Sequence, residues 1–129
     1  MQVRDGMNPD VLTVGPTHTL REVSRQMARR HVGAAVVVDP ETAGMSILTE
    51  RDVLESVAAG QDPDTEMAAN HKTHNLVFAA PEWSMDEAAE AMVHGGFRHL
   101  IVLDAGEIIG ILAMRDIVRC WTMARVGAH

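Results

Sequence analysis

Two short segments of the sequence carry the residue types best suited to binding a small polar ligand. The segment "SILTERD" contains Thr49, Arg51 and Asp52, and the later segment "GILAMRD" contains Arg115 and Asp116, with alanine in place of the threonine. An aspartate carboxylate can accept two hydrogen bonds from a polar ligand. A hydroxyl three residues earlier, at the start of a helix, lies near free backbone amides that attract phosphate.

The same residues also have a purely structural interpretation. Thr-x-x-Asp is an ordinary sequence at a helix start, in which Thr49 caps the helix and Asp52 occupies the third position. In the second segment the acid Asp116 remains although Ala113 cannot cap. An acid near a helix start is still favoured by the helix dipole, so capping and ligand binding both stay open for these residues.

The two segments belong to a longer internal repeat. A shift of 65 residues aligns "PTHTLREVSRQM" (16–27) with "PEWSMDEAAEAM" (81–92), and "VVVD" (36–39) with "IVLD" (101–104). Beyond that aspartate the shift is 64 residues, which implies one residue fewer in the second turn. We therefore interpret the chain as two copies of one unit, repeat 1 over residues 1–64 and repeat 2 over residues 65–129.

Each copy predicts the element order β-α-β-β-α. Extended runs at 11–14 and 75–78 precede amphipathic helices whose starts are marked by the capping residues Thr19 and Ser84. The apolar runs "AAVVVD" and "LIVLD" predict buried strands, and "MSIL" and "IIGIL" predict a third strand in each copy. A closing helix follows, which in the first copy is expected to end at Gly60.

Packing considerations then predict how the two copies combine. One small sheet with helices on one face cannot bury both of its faces alone, so the two sheets should pack against each other with pseudo-two-fold symmetry. The polar segment 60–70 is expected to connect the copies. The predicted fold class is therefore mixed α/β, more closely α+β, with both repeats forming one compact module.

Composition restricts the classes of function. The formal charge of −7, from 18 acids and 11 bases, disfavours a general nucleic-acid binder, which needs clustered cations for the phosphates. The single cysteine, Cys120, forms no intrachain disulfide, which fits a cytoplasmic location. No apolar run approaches the roughly 20 residues of a membrane span.

His71 and His74 have a spacing that suits a metal, but no third ligand stands at supporting spacing, so no metal site is predicted.

In order and spacing, these segments resemble the cystathionine-β-synthase-type (CBS) domain in the tandem arrangement called a Bateman module. The resemblance rests on "VRDGMNPDVLTVGPTHTLREVSRQMARRHVGAAVVVD", "SILTERDV", "FRHLIVLD" and "GILAMRDIV", and it covers residues 3 to about 122. Because little of the sequence lies outside the pair, the chain is similar to small free-standing bacterial stress-response proteins of this kind. Two features depart from the pattern: Ser46 replaces the glycine found at Gly110, and "VRDGM" (3–7) has no counterpart before the second copy.

The resemblance implies a regulatory ligand site between the repeats. The ligand would be an adenosine compound, namely AMP, ADP, ATP or S-adenosylmethionine, and no further cofactor is required. Carried over by position, one cleft would be lined by Thr49, Arg51, Asp52, Val77, Phe97, Arg98 and His99. The other cleft would be lined by Asp116, Arg115, Leu12, Gly33 and Ala34. The second cleft lacks both the hydroxyl and the cations before the strand, so we expect it to be degenerate.

The sequence contains no catalytic constellation, so it predicts a non-enzymatic ligand sensor. The resemblance also implies a homodimer formed through the apolar faces of the closing helices, and a downstream protein partner that the sequence does not identify. The alternative is a protein-interaction or stress-response scaffold without a physiological ligand, in which Thr49 and Asp52 only cap a helix. A nucleic-acid binder is a third interpretation, which the net charge disfavours.

Overall fold

The computed structural model of the protein describes residues 1–42, 44–71 and 78–127. Within these ranges the chain forms five α-helices and two three-stranded sheets, so the predicted mixed α+β class is confirmed. The first helix, α1, is a single turn at Val3–Gly6. The chain divides into two compact units, which we call the first-repeat unit (Leu12–Leu76) and the second-repeat unit (Met1–Val11 with Val77–His129). The division of the sequence into repeats 1–64 and 65–129 stays a proposal.

The first-repeat unit has the predicted β-α-β-β-α order. Its elements are β1 (Thr13–Val14), α2 (Leu20–Arg30), β2 (Ala34–Asp39), β3 (Gly44–Thr49) and α3 (Glu50–Ala58). The sheet order is β1-β2-β3, with β1 parallel to β2 and β2 antiparallel to β3. The first strand is shorter than predicted, because only Thr13 and Val14 pair with β2.

Helix α2 starts where the sequence predicts. The Thr19 hydroxyl accepts the backbone N–H of Glu22 at 3.2 Å, which satisfies one of the free amides at the helix start. The helix then buries Leu20, Val23 and Met27, spaced to form one apolar stripe against the sheet.

The segment after α3 is more than a polar connector. Gly60 follows the helix end with a positive φ of 81°, a backbone conformation that suits glycine. The chain then turns back to the start of α2, where the Glu66 carbonyl accepts the Leu20 N–H at 2.9 Å. Ala68, in a short 3-10 turn, is fully buried in the core of this unit. The connector therefore completes the first-repeat unit.

The second-repeat unit repeats this order. Its elements after α1 are β4 (Phe78–Ala79), α4 (Met85–Gly95), β5 (His99–Asp104), β6 (Glu107–Ala113) and α5 (Met114–Gly127), with sheet order β4-β5-β6. Ser84 caps α4 by accepting the Glu87 N–H at 3.0 Å, as predicted. The predicted strand at 75–78 falls largely outside the described residues. No helix in the described ranges is long and apolar enough to cross a membrane.

The opening segment of the chain is part of the second-repeat unit. The Val3 N–H donates to the Trp83 carbonyl at 2.7 Å, and Asn8 and Ile111 exchange two backbone hydrogen bonds of 2.8 and 3.0 Å. Val3 is fully buried in the core cluster of this unit. A side chain at Gly6 would collide with Met85 and Cys120, which explains the glycine. The segment without a counterpart in the sequence repeat therefore has a packing role.

Candidate functional site

Thr49 and Asp52 form a complete capping box at the start of α3. The Asp52 Oδ2 atom accepts the Thr49 backbone N–H at 2.8 Å and lies 3.0 Å from the Thr49 hydroxyl, and that hydroxyl lies 3.3 Å from the Asp52 N–H. The structural interpretation of this motif is therefore confirmed. Capping is compatible with ligand binding, because Asp52 is half-buried and its carboxylate offers more acceptor sites than the cap uses.

The second copy explains why the acid is retained without the hydroxyl. The Asp116 Oδ2 atom accepts the Ala113 backbone N–H at 2.8 Å, so the acid caps α5 alone. Its other oxygen lies 3.2 Å from the Arg119 guanidinium, and only 6% of the residue is exposed. Both carboxylate oxygens of Asp116 are therefore engaged within the unit.

A polar cavity of about 310 Å³ opens beside Asp52 in the first-repeat unit. It is lined by Asp52, Glu55, Ser56, Gln61, Asn70 and His71. The three residues from α3 stand at positions i, i+3 and i+4, so they share one face of the helix. The buried Ser56 hydroxyl donates to the Gln61 side-chain oxygen at 2.7 Å, so two of the lining residues hold each other.

His71 also lines this cavity. Its Nε2 atom lies 2.9 Å from a carboxylate oxygen of Glu66, so the orientation of the ring is held by an acid. His74, the other half of the predicted histidine pair, lies outside the described residues. Among the residues that are described, no group of three or more metal-ligating side chains is arranged to hold an ion.

In the first-repeat unit, the residues before β2 lie at the start of α3. The Gly33 carbonyl accepts the Glu50 N–H at 2.9 Å, and Ala34 stands opposite Thr49 in the strand register. A side chain at Gly33 would press on the Glu50 carboxylate. This loop therefore offers only backbone and a methyl group beside the capping box.

In the second-repeat unit the corresponding loop carries a cation. The Arg98 carbonyl accepts the Met114 N–H at 2.8 Å, and His99 stands opposite Ala113 in the strand register. The Arg98 side chain is exposed and His99 is half-buried. Each unit by itself thus brings the residues before its central strand to the start of its own closing helix.

The predicted site residues fall in both units. The first-repeat unit holds Leu12, Gly33, Ala34, Thr49, Arg51 and Asp52, and the second-repeat unit holds Phe97, Arg98, His99, Arg115 and Asp116. Val77 lies outside the described residues. Arg51 is exposed and pairs with Glu55 at 3.2 Å. Each predicted cleft combines residues of both units, and these combinations stay predictions.

Sequence reasoning did not identify most of the cavity wall. Glu55, Ser56, Gln61 and Asn70 were not singled out, and His71 was considered only as a metal ligand. A signal was available for Ser56, which follows Asp52 by one helical turn on the face of α3. No local pattern predicts that Gln61 and His71 return to the same place.

Comparison with known proteins agrees with the architecture. The family model of the CBS domain matches the chain twice, over residues 2–59 and 69–121. Protein MK0525 of Methanopyrus kandleri is 35% identical over 112 residues, which are 85% of this chain and 57% of that protein. The chain spans about half the length of this relative and of a second one, 57% and 41% respectively.

Solved structures give the same result. The CBS-domain containing protein ATU1752 from Agrobacterium tumefaciens superposes with a TM-score of 0.82 at 30% identity, covering 93% of this chain and 92% of that one. The CBS domain protein PAE2072 from Pyrobaculum aerophilum, solved in complex with AMP, superposes with a TM-score of 0.79 at 27% identity, covering 90% and 89%. With two matched copies on two β-α-β-β-α units, the chain belongs to the CBS domain family.

Proposed function

We propose that this protein is a non-enzymatic regulatory module that binds an adenine nucleotide beside Asp52. The observation that carries the proposal is a half-buried carboxylate, held by Thr49, at the wall of a cavity of about 310 Å³. That volume lies at the lower end of small-molecule sites, which measure about 300–1,000 Å³. The AMP complex of PAE2072, at 27% identity, supports the choice of nucleotide.

The chemistry of the cavity supports a role in holding the nucleoside part of the ligand. Its wall offers the carboxylates of Asp52 and Glu55 together with hydroxyl, amide and imidazole groups, and the described residues that line it include no lysine or arginine. Such groups suit the hydroxyls of a ribose, whereas a phosphate needs a cation. We therefore keep Arg98 and His99, with Phe97 and Val77, as the proposed complement of Thr49, Arg51 and Asp52 in one composite cleft. The cleft of Asp116, Arg115, Leu12, Gly33 and Ala34 is proposed to be degenerate.

Isothermal titration calorimetry with AMP, ATP and S-adenosylmethionine tests this proposal. Wild type should bind at least one of them saturably, and Asp52→Asn should weaken that binding by about tenfold or more, because the isosteric amide accepts fewer hydrogen bonds from a diol. The matched control is Asp116→Asn, which should leave the affinity within about twofold of wild type, a change of less than about 0.5 kcal/mol. Equal losses in both variants would contradict the assignment of the site to the first copy.

A scaffold without a ligand is the second candidate function. The capping box favours it, since Thr49 and Asp52 have a complete structural role. This candidate predicts no saturable binding of any of the three compounds, and no nucleotide retained in native mass spectrometry of freshly purified protein. In that case Asp52→Asn would change only thermal stability.

We also propose that the chain acts as a homodimer in the cytoplasm, transmitting ligand binding to a protein partner. Corresponding positions of the two closing helices expose apolar side chains: Leu54 (67%) and Val57 (52%) on α3, Val118 (53%) and Trp121 (46%) on α5. Apolar patches that recur at equivalent places favour association. The free and buried Cys120 fits a reducing compartment. Light scattering across a concentration series would measure the mass and reject the dimer if only monomer is found.

A further inference from the structure

Residues 66–71 of the first-repeat unit are the structural counterpart of the opening segment, residues 1–6, of the second-repeat unit. Backbone hydrogen bonds in one unit recur in the other, with donor and acceptor both shifted by 65 residues. They run from Val3 to Trp83, Arg4 to Pro81 and Met85 to Met1 in the second-repeat unit, and from Ala68 to His18, Ala69 to Pro16 and Leu20 to Glu66 in the first. By the same shift, His71 corresponds to Gly6.

In the second-repeat unit, the Arg119 guanidinium joins the closing helix to the opening segment. One of its nitrogens lies 3.2 Å from the Asp116 Oδ1 atom, and another donates to the Gly6 carbonyl at 3.2 Å. The Asp116 Oδ2 atom is already used by the helix cap. A guanidinium therefore lies between an acid at the helix start and a backbone carbonyl of the opening segment.

In the first-repeat unit the same two elements line the polar cavity of about 310 Å³, and Glu55 takes the position of Arg119. Asp52 lines the cavity from α3, and Asn70 and His71 line it from the segment 66–71. The helix cap uses the Oδ2 atom of Asp52, as in the second copy. Within the described part of the chain, the hydrogen bonds of this carboxylate leave Oδ1 open, and Oδ1 corresponds to the atom that Arg119 binds.

The charges around the cavity favour a cation. Asp52 and Glu55 both line it, and the Glu66 carboxylate lies 2.9 Å from the Nε2 atom of His71, another lining residue. Arg51 pairs with Glu55 at 3.2 Å, but the two side chains are 69% and 65% exposed, and surface pairs of this kind contribute little. The described residues that line the cavity thus offer acceptors for a cation and supply no lysine or arginine.

We infer that the cavity beside Asp52 binds the guanidinium group of a small ligand, in the place that Arg119 takes in the second-repeat unit. A guanidinium presents its N–H donors in a planar fork that matches carboxylate oxygens. The volume of the cavity, at the lower end of small-molecule sites, suits a small free compound. The inference goes beyond the proposed nucleotide, since it depends on Glu55 and does not require that a nucleotide bind.

An NMR titration with n-propylguanidinium, which reproduces the end of an arginine side chain, tests this inference. Saturable shifts are expected at the backbone amides of the cavity wall, within residues 52–61 and 70–71. The neutral isostere n-propylurea should bind about tenfold more weakly, because only the cation forms two charge-assisted hydrogen bonds with carboxylates. No saturable shift, or equal affinity for the urea, would overturn the inference. No nucleotide is added, so this result is independent of the nucleotide titrations.

Exchanging the two aligned residues gives a reciprocal test. Glu55→Arg should weaken binding of n-propylguanidinium by about tenfold or more, because the new guanidinium occupies the cavity and repels the ligand. The matched control is Glu90→Arg, which makes the same charge change at an exposed position of α4 and should stay within about twofold of wild type. Conversely, Arg119→Glu should create a second site, with saturable shifts at residues 5–6.

Two outcomes of the exchange would overturn the inference: full binding by Glu55→Arg, or no second site in a folded Arg119→Glu variant. Circular dichroism establishes that each variant is folded. If Glu55→Arg fails to fold, Glu55→Gln takes its place, because it removes the charge with little change of shape. Binding that is undiminished in Glu55→Gln would then overturn the inference.

Discussion

The two closing helices begin with the same aspartate in different surroundings. In the second-repeat unit, Asp116 is buried and its two oxygens bind the Ala113 N–H and the Arg119 guanidinium. In the first-repeat unit, the position of Arg119 is taken by Glu55, and Asp52 stands half-buried at the wall of a polar cavity. The repeated acid is thus explained by capping in both copies, and we propose that the surrounding substitutions suit the first copy to a ligand. A residue retained in both copies therefore does not by itself identify a binding site.

The largest expected difference between the two copies is the effect of each aspartate on stabilisation of the protein by a bound ligand. At a free AMP concentration of 100 times its dissociation constant, the free energy of unfolding should rise by about 2.7 kcal/mol, as mass action requires for a ligand that binds only the folded state. Chemical denaturation with and without AMP measures the rise. Asp52→Asn should reduce this rise, and Asp116→Asn should retain it. A full rise in Asp52→Asn would contradict the placement of the ligand beside Asp52.

When no ligand is present, removal of Asp116 should destabilise the protein more than removal of Asp52. Asp116→Ala leaves the buried Ala113 backbone N–H without its acceptor, which should cost about 2 kcal/mol of unfolding free energy. Asp52→Ala should cost about 1 kcal/mol, because its site is partly hydrated and water replaces part of the lost cap. Urea denaturation measures both. Asp116→Asn is the matched control, since the amide oxygen still accepts the Ala113 N–H. A greater loss for Asp52 than for Asp116 would contradict this ranking.

The Thr49 hydroxyl should contribute less than the buried acid. Thr49→Ala removes the acceptor of the Asp52 N–H, and we expect a loss of about 1 kcal/mol in urea denaturation. Thr49→Ser keeps the oxygen and should preserve most of the stability. If both variants were equally destabilised, the methyl group rather than the cap would be responsible.

Introducing a hydroxyl in the second copy should give a smaller effect of opposite sign. Ala113→Ser places an oxygen where Thr49 has one, next to the Asp116 N–H, and should raise the melting temperature by an amount corresponding to about 0.5 kcal/mol. Differential scanning calorimetry measures the change, with Ala113→Val as the control for added volume without an acceptor. A loss of stability in the serine variant would mean that the second copy excludes the hydroxyl sterically.

The smallest expected effect concerns the exposed ion pair between Arg21 on α2 and Asp64. The position aligned with Arg21 on α4 holds an acid, Asp86. The hydrogen bond from Arg21, with N and O 2.6 Å apart, lowers the pKa of Asp64. A lowered pKa in the folded state means that the pair stabilises the protein above the ordinary carboxyl range, and that this contribution is lost as the pH falls through the lowered value. Arg21→Ala should return the pKa of Asp64 towards its ordinary value in an NMR titration of the side-chain carboxyl. An unchanged titration would mean that the pair does not persist in solution.

Local signals predicted most of the fold. Thr19, Ser84 and Thr49 mark helix starts because a capping hydroxyl acts within three residues of itself, and all three cap as expected. The two central strands were predicted from uninterrupted β-branched runs. Boundaries were less exact where pairing decides them, as at β1, which is limited to Thr13–Val14.

The features that sequence reasoning missed depend on contacts between distant residues. Nothing in the local pattern of 60–71 indicates that the chain returns to α2 and α3, so the cavity wall at Gln61 and His71 was not predicted. The helical turn α1 is too short to have a periodic pattern. Its place in the second-repeat unit is decided by burial of Val3 and by pairing of Asn8 with Ile111.

That pairing determines an order of events during synthesis. The first-repeat unit is one continuous stretch, so it can fold as soon as residue 76 is available. Asn8 must wait for Ile111, and the entropic cost of closing a loop grows with its length. Residues 1–11 precede the first-repeat unit in the sequence but become ordered after it, and a change at Val3 should slow completion of the second-repeat unit without delaying the first.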